Sequence, residues 1–345
     1  MAYATINKPS DYFNTVTYSG NGGTQEISTG LKPEIVLIKG RNTASRNPSF
    51  FDIIRGATKR LITNSAYLED THSTMLNTFG STSWTTGGDE QTNGSGETYA
   101  SWNWLAGGTP VSNTDGSITS SVSANTTSGV SIVSYTGTGA AATVGHGLGS
   151  VPKVMFVRNR PISDNWPIYT STTGNGTKLR LNGSNTQITS VDTWNNTTPT
   201  SSVFSLGTDS EANNSSTAHI AYCFAEKKGF SKFDSYVGNG GSNGPFVYTG
   251  FKPAWLLVKR TDGLTSWKLL DNKRDPYNDG TGANVNLNDA DVEDDNAAYA
   301  VDFLSNGFKI RNTNANFNTS SGTFFYMCFA ENPLVGTNNT PATAR

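Results

Sequence analysis

One order of short motifs occurs three times along the 345 residues, and this repetition restricts the folds that the chain can adopt. Each copy has a tyrosine before a glycine-rich turn, and a proline then opens an apolar run of strand length. The tyrosines are Tyr18, Tyr135 and Tyr236, and the prolines are Pro33, Pro152 and Pro253. A period of roughly 100 to 120 residues is the size of a domain, whereas solenoid repeats run about 20 to 50 residues. The repetition therefore predicts three domains.

A third marker closes each copy, namely an aromatic residue in its last apolar run: Trp104, Phe224 and Phe329. The last two belong to the repeated word "CFAE", which also contains both cysteines, Cys223 and Cys328. We expect these cysteines to be small buried apolar side chains without a disulfide, because a bond would require two separate cores to touch. Phe224 and Phe329 are likewise expected to lie in separate cores.

Strand signals dominate the chain, and helical periodicity is scarce. The one ambiguous helix candidate is "FFDIIRGATKRLI", and Asn306-Gly307 is a pair that two-residue hairpin turns prefer. The fold class predicted is all-β, with three tandem antiparallel β-sandwich modules. The polar stretch that opens the second module is either a connector or a long hairpin. The predicted boundaries are a docking arm at 1–17, modules at 18–108, 109–228 and 229–335, and a polar tail at 336–345, which we expect to be disordered unless a partner holds it.

Composition excludes several classes of partner. The formal net charge is −2, whereas nucleic-acid binders usually carry a concentrated basic surface. No run approaches the 18 or more apolar residues of a membrane span, and the N-terminus lacks the pattern of a signal peptide. We therefore expect synthesis in a cytoplasm, with no nucleic-acid partner and no membrane insertion.

Motifs for catalysis or cofactor binding are lacking, so we predict neither an enzyme nor a cofactor or metal site. The histidines stand apart, and His219 is expected at a surface or sheet edge. The acidic stretch from Asp289 to Asp295 leaves open whether it binds a cation or is a solvated loop. Asp52 with Arg55 recurs as Asp271 with Arg274, whereas Thr170 takes the aspartate position in the second copy. This pattern indicates a pair that braces a turn.

Aromatic rings could form a sugar-binding platform, since flat rings stack on pyranose faces. Trp104 corresponds to Phe224 and Phe329, which favours core packing for that residue. Trp194, in the polar stretch "VDTWNNTTPTSS", is the tryptophan least explained by a core. It is the glycan-binding candidate.

Two stretches resemble virion structural proteins of tailed bacteriophages, especially marine ones. "MAYATINKPSDYFNTVTYSGNG" resembles the opening of such proteins, and "YCFAEKKGFSKFDSYVGNGGSNGPFVYTGFKPAWLLVK" resembles their repeat module. Such modules occur in tail fibres, appendages and capsid-surface proteins. The resemblance implies a phage particle and no enzyme. No heptad run is present, which favours a compact appendage, adaptor or capsid decoration over a long shaft.

The function predicted is therefore a non-enzymatic virion protein, made in the host cytoplasm, that contacts other capsid or tail proteins and forms a homo-oligomer. Lys8, Pro9, Ser10 and Asp11 lie ahead of the first repeat with no counterpart in the later copies, so they are the docking candidates. The alternative is host attachment through a surface polysaccharide. A depolymerase would need paired carboxylates in a cleft, and the only dense acidic stretch is one local loop.

Overall fold

The computed structural model describes residues 4–335, and it is all-β with antiparallel sheets, as predicted. Within these residues the helices are short: α1 (Glu90–Asn93), α2 (Ser210–Asn213) and two single 3₁₀ turns, Pro9–Asp11 and Ala297–Tyr299. The helix candidate at residues 50–62 forms two strands instead. Gly56, with φ +97°, lies in the turn between them. The predicted tail at 336–345 lies outside the described residues.

The first part of the chain forms a six-stranded sheet and a three-stranded sheet, called here the first large and first small sheets. Their orders are β1-β9-β3-β4-β5-β6 and β2-β8-β7, for the strands β1 (Phe13–Ser19), β2 (Gln25–Ser28), β3 (Ile35–Gly40), β4 (Ser49–Asp52), β5 (Lys59–Ile62), β6 (Asp70–Thr71), β7 (Leu76–Phe79), β8 (Ser83–Thr86) and β9 (Thr98–Trp104). Because β1 starts at residue 13, the predicted arm at 1–17 overlaps this sheet.

The second part forms an eight-stranded large sheet and a two-stranded small sheet. Their orders are β10-β11-β12-β19-β14-β15-β16-β17 and β13-β18, for the strands β10 (Val111–Asn113), β11 (Ser120–Asn125), β12 (Val130–Thr136), β13 (Ala142–Gly145), β14 (Val154–Asn159), β15 (Pro167–Thr170), β16 (Thr177–Arg180), β17 (Ile188–Thr189), β18 (Val203–Leu206) and β19 (Ala218–Phe224). The two additional strands, β10 and β11, are the opening hairpin that was one of the two predicted alternatives.

The third part returns to one six-stranded and one three-stranded sheet. Their orders are β20-β28-β22-β23-β24-β25 and β21-β27-β26, for the strands β20 (Ser231–Val237), β21 (Phe246–Tyr248), β22 (Phe251–Arg260), β23 (Lys268–Asp271), β24 (Ala283–Asn286), β25 (Asp294–Asp295), β26 (Val301–Leu304), β27 (Gly307–Ile310) and β28 (Thr323–Pro333).

The hairpin predicted at Asn306-Gly307 exists, but its loop is shifted by one residue. Leu304 pairs with Gly307, so Ser305 and Asn306 form the two-residue loop and Gly307 begins β27. A Cβ on Gly307 would lie 2.1 Å from the carbonyl oxygen of Val247 in β21. The glycine is therefore required by the close approach of the neighbouring strand rather than by the turn.

The central strands of each large sheet are buried on both faces, which explains why the strands that follow the prolines are continuously apolar. In β3, Val36 and Ile38 point into a core shared only with the first small sheet. Ile35 and Leu37 point the other way, into a core to which all three large sheets contribute. The second and third small sheets likewise enclose their own cores.

The shared core contradicts the expected separation of Phe224 and Phe329. Their ring centroids are 6.2 Å apart, and Trp104 lies 6.0 Å from Phe329. A void of only about 10 Å³ remains at the centre, lined by apolar side chains and Thr63 from all three large sheets. Such a volume is at the lower limit for one water molecule. The sheets therefore pack around one centre rather than as beads on a string.

Candidate functional site

The N-terminal arm, residues 4–12, packs against the segment that joins the second and third large sheets. The backbone N–H of Thr5 donates to the carbonyl of Lys228 at 3.2 Å. Gly229 has φ +78°, and a Cβ there would lie 2.7 Å from the Cβ of Ala4. A glycine is needed at this position because the arm passes directly over it.

Three of the four predicted docking residues are exposed. The side chains of Lys8 and Asp11 are 71% and 51% exposed and form a salt bridge at 2.6 Å, and Ser10 is also exposed. Pro9 is buried and begins the 3₁₀ turn, while Ile6 reaches the shared core. The arm is therefore attached by its apolar residues and presents its polar residues to solvent.

Trp194, the predicted glycan-binding residue, is fully buried in the core that the second small sheet encloses with the second large sheet. Its ring lies edge-on to Tyr169 with centroids 5.8 Å apart, and its Nε1 donates to the carbonyl of Thr177 at 3.0 Å. A sugar can stack only on an exposed ring face, so this prediction is wrong. Trp194 and its polar neighbours in the sequence lie in the loop between β17 and β18.

Each of the three parts has one loop that makes hydrogen bonds to the large sheet of a neighbouring part. We call them bridging loops, at residues 66–69, 184–187 and 290–293. The last residue of each donates its backbone N–H to a carbonyl of the neighbouring part: Glu69 to Arg160 at 2.8 Å, Gln187 to Thr261 at 2.8 Å and Glu293 to Arg41 at 2.7 Å. The first part thus contacts the second, the second contacts the third and the third contacts the first. The three parts form a closed ring.

Two of these bridging loops add buried or half-buried ion pairs to the backbone contact. Glu293 accepts two hydrogen bonds from Arg41, at 2.9 and 2.7 Å, and one from Arg274 at 2.9 Å. Glu69 contacts Arg160 in the same bidentate way, at 2.9 Å for both bonds. Although burial opposes ionisation, the bonds and charges of both arginines hold the pKa of Glu293 below its usual range. Gln187 provides the third contact without a charge.

A fully buried cation also reaches each bridging loop. Lys39 donates to the carbonyl of Asp291 at 2.6 Å, Arg158 donates to that of Ala66 at 2.7 Å, and Lys259 lies 3.4 Å from that of Ser184. Burial lowers the pKa of Lys39 and of Lys259 to about 8 and that of Arg158 to about 10. Sequence reasoning missed these cations. Their signal was a basic residue at the end of each apolar run, in "VLIKG", "MFVRN" and "LLVKR".

The acidic stretch from Asp289 to Asp295 contains the third bridging loop. The backbone carbonyl of Asp291 accepts a hydrogen bond from Lys39, and the carboxylate of Glu293 accepts from Arg41. Within residues 4–335, no group of three or more His, Cys, Asp or Glu side chains could hold a metal ion. The described contacts of this stretch therefore include hydrogen bonds to the first large sheet as well as pairing with β24 in its own sheet.

Both aspartate–arginine pairs brace a turn, and each also accepts a hydrogen bond from another large sheet. Asp271 contacts Arg274 at 2.6 Å and accepts from the Trp102 indole at 3.0 Å. Asp52 pairs with Arg55 and accepts from the Tyr222 hydroxyl at 2.7 Å. The third residue corresponding to Trp102 and Tyr222 is Met327, which has no donor group. Since Met327 cannot donate a hydrogen bond, no carboxylate acceptor is needed at the third position, and the residue there is Thr170 rather than an aspartate.

Both cysteines and two of the histidines, His146 and His219, are buried away from solvent. Cys223 and Cys328 are free and buried, as predicted, and burial raises the pKa of Cys223 to about 12. His219 is fully buried rather than at a surface, and burial lowers its pKa to about 4. Its Nδ1 lies 3.0 Å from the carbonyl of Thr217. These side chains serve packing.

The fold and these contacts define an all-β protein of antiparallel sheets packed around a common core and linked by bridging loops. A family model described as a domain of unknown function (DUF7483) matches residues 8–333, and the chain belongs to this family. No curated protein and no solved structure shows significant similarity to it. None of the helices in residues 4–335 is long and apolar enough to span a membrane.

Proposed function

We propose that the protein is a non-enzymatic structural component of a bacteriophage virion, displayed at its surface as a tail-fibre or adaptor protein or as a capsid decoration. In this proposal three β-sandwich modules, related by the internal repeat, form one compact body. The resemblance of the opening residues and of the third repeat to phage virion proteins supports it. The protein is made in the host cytoplasm and incorporated into the particle.

The observation that carries the proposal is the closed ring of bridging loops around a shared core. Three parts that each contact the next resist relative movement, because displacing one part breaks contacts with both others. Charged side chains of the loops contact arginines of the neighbouring parts and are largely withdrawn from solvent. This construction suits a component that transmits load or covers a surface.

Docking to the particle occurs through the arm in this proposal. Deleting residues 2–14 is a poor test, because Ile6 and Phe13 are buried in the shared core and their loss would destabilise the fold. The sharper variant is Lys8→Ala with Asp11→Ala, since an exposed pair contributes about 0–1 kcal/mol to stability. We expect this variant to remain folded and to be depleted from purified particles. Labelling with an antibody against the protein also gives its position on the virion.

A matched control replaces Arg311 and Asp302, a partly exposed pair at 3.3 Å on the third small sheet. That variant should be incorporated normally. Normal incorporation of the Lys8 and Asp11 variant would refute docking through the arm. Absence of the wild-type protein from particles would refute the virion proposal itself.

The polysaccharide alternative is not advanced, because its candidate residue, Trp194, is buried. The proposed partners are other capsid or tail proteins. Homo-oligomerisation remains a prediction, and light scattering of the purified protein measures it directly.

A further inference from the structure

Two of the three places where a bridging loop meets the neighbouring part contain the same cluster of three charged side chains. We call these places junctions. At the junction of the first and second parts, Glu69 binds Arg160 of the neighbouring part at 2.9 Å and lies 3.4 Å from Arg55 of its own part. The junction of the third and first parts repeats this cluster with Glu293, Arg41 and Arg274.

The junction of the second and third parts has an uncharged side chain at each of these positions. Gln187 replaces the glutamate, and its N–H donates to the carbonyl of Thr261, which replaces the arginine of the neighbouring part. Thr173 replaces the remaining arginine, because it follows Thr170 at the i, i+3 spacing of both aspartate–arginine pairs. Two threonines occupy much less volume than two arginines, so the substitutions leave space at this junction.

A pocket of about 240 Å³ opens at this junction, and Thr173, Gln187 and Thr261 all line it. Ser235 and Thr323 of the third large sheet also belong to the lining. The void in the shared core measures only about 10 Å³. Since about 10–15 Å³ suffices for one water, the pocket at the junction has room for a small molecule.

The lining combines hydroxyl and amide groups with one carboxylate whose charge is already compensated. The Thr261 hydroxyl donates to the carbonyl of Thr323 at 3.2 Å, so its oxygen can still accept. Asp262 is the one charged residue among the described residues that line the pocket. It accepts from Arg260 at 2.7 Å and from the N–H of Thr323 at 3.1 Å. A charged ligand would therefore find no free opposite charge in the lining.

We infer that this pocket binds a neutral, hydroxyl-rich molecule of about the size of a single sugar ring. Hydroxyl and amide groups both donate and accept, as the hydroxyls of a sugar do, so hydrogen bonds can form in either direction without burying a charge. No aromatic side chain from residues 4–335 lines the pocket, so this site does not use the ring stacking that was expected of Trp194. Recognition by hydrogen bonds alone predicts a dissociation constant in the millimolar range.

A titration of the isotope-labelled full chain followed by NMR tests this assignment, with D-glucose, D-galactose and D-mannose as probes. At least one of these sugars should shift the backbone amide signals of Thr173, Gln187 and Thr261. The amides of Arg55 and Arg160, at the charged junction of the first and second parts, are the internal control and should not shift. Absence of shifts with all three sugars would overturn the inference. D-glucuronate should bind more weakly than the neutral sugars, and equal binding would contradict a preference for a neutral ligand.

A variant that rebuilds the charged junction tests the position of the site. Gln187→Glu with Thr261→Arg reproduces the pair formed by Glu69 and Arg160, which this fold already accommodates elsewhere. The arginine side chain should occupy the pocket, so the variant should lose sugar binding. Binding with wild-type affinity would place the site elsewhere and overturn the assignment.

A smaller change tests the same site without filling it. Ser235→Ala removes one exposed hydroxyl from the lining and should weaken binding by about three- to tenfold. Ser134→Ala is the matched control, because Ser134 precedes Tyr135 as Ser235 precedes Tyr236 but does not line the pocket. Equal affinities of the two serine variants would count against the pocket. These outcomes do not depend on whether the protein is found in a virion.

Discussion

At the scale of single residues, one stacked ring pair recurs in each part of the molecule. Tyr18 stacks on Tyr99, Tyr135 on His219 and Tyr236 on Phe324, with centroids 5.3, 5.2 and 5.1 Å apart and interplanar angles of 16°, 11° and 11°. Only the second pair contains a titratable base. Burial lowers the pKa of His219 to about 4, so this ring is neutral in the folded protein at neutral pH.

Replacing His219 with Phe should therefore make the free energy of unfolding less sensitive to acid, while the ring still stacks on Tyr135. Between the ordinary pKa near 6.5 and about 4, the unfolded chain binds a proton at His219 that the folded chain does not. Stability from this group is present at higher pH and falls by up to about 1.4 kcal/mol per pH unit as the pH decreases through that window. Urea unfolding from pH 8 to pH 4.5 should show a shallower decline for His219→Phe than for the wild type. Parallel declines would contradict the assignment.

At the scale of elements, the three bridging loops make the same backbone contact with different side chains. Glu69 and Glu293 add ion pairs, and Gln187 does not. The arginines that they contact lie partly or fully out of solvent, where an unpaired charge is costly. The charged loops are therefore expected to be more sensitive to substitution than the uncharged loop.

Glu293→Gln should destabilise the protein by about 1–3 kcal/mol, because Arg41 and Arg274 lose a charged acceptor. The pKa of Glu293 is depressed in the folded protein, so its contribution is present above the unfolded pKa and is lost as pH falls through the folded pKa. The difference between variant and wild type should accordingly shrink in acid. Gln187→Ala is the matched control and should change stability by less than about 0.5 kcal/mol. Chemical denaturation at pH 7 and at pH 3 measures both variants, and equal effects of the two would refute the distinction.

The sequence predicted elements well and their mutual packing poorly. Turn residues and apolar runs such as "EIVLI" are local signals, so strands and the antiparallel class followed from them. That same run is apolar at consecutive positions, Ile35 to Ile38, which is typical of a strand buried on both faces. The second buried face of β3 indicated that another element packs against it in addition to the small sheet. No local sequence signal identifies that element. Trp194 failed for a related reason, since its burial depends on Tyr169 and Thr177, which are distant in sequence.

At the scale of the whole molecule, the shared core couples the three parts thermodynamically. Phe329 contacts rings from every part: Trp104 at 6.0 Å, Phe224 at 6.2 Å and Trp255 at 5.6 Å between centroids. Phe308, by contrast, lies in the core that the third large sheet shares only with its own small sheet. The two phenylalanines are equally buried, so substitutions at them compare shared and private cores directly.

Phe329→Ala should destabilise all three large sheets together by about 3–5 kcal/mol, because the cavity opens where they meet. Hydrogen exchange in β3, β14 and β22 should accelerate in parallel, and limited proteolysis should leave no resistant fragment. Phe308→Ala should have a similar local cost but accelerate exchange mainly in β21, β26 and β27. If Phe329→Ala instead released a protease-resistant fragment that contains the first and second parts, those parts would be stable without the third, and the shared core would not couple them. A single cooperative transition is expected because no large sheet covers its inner face alone.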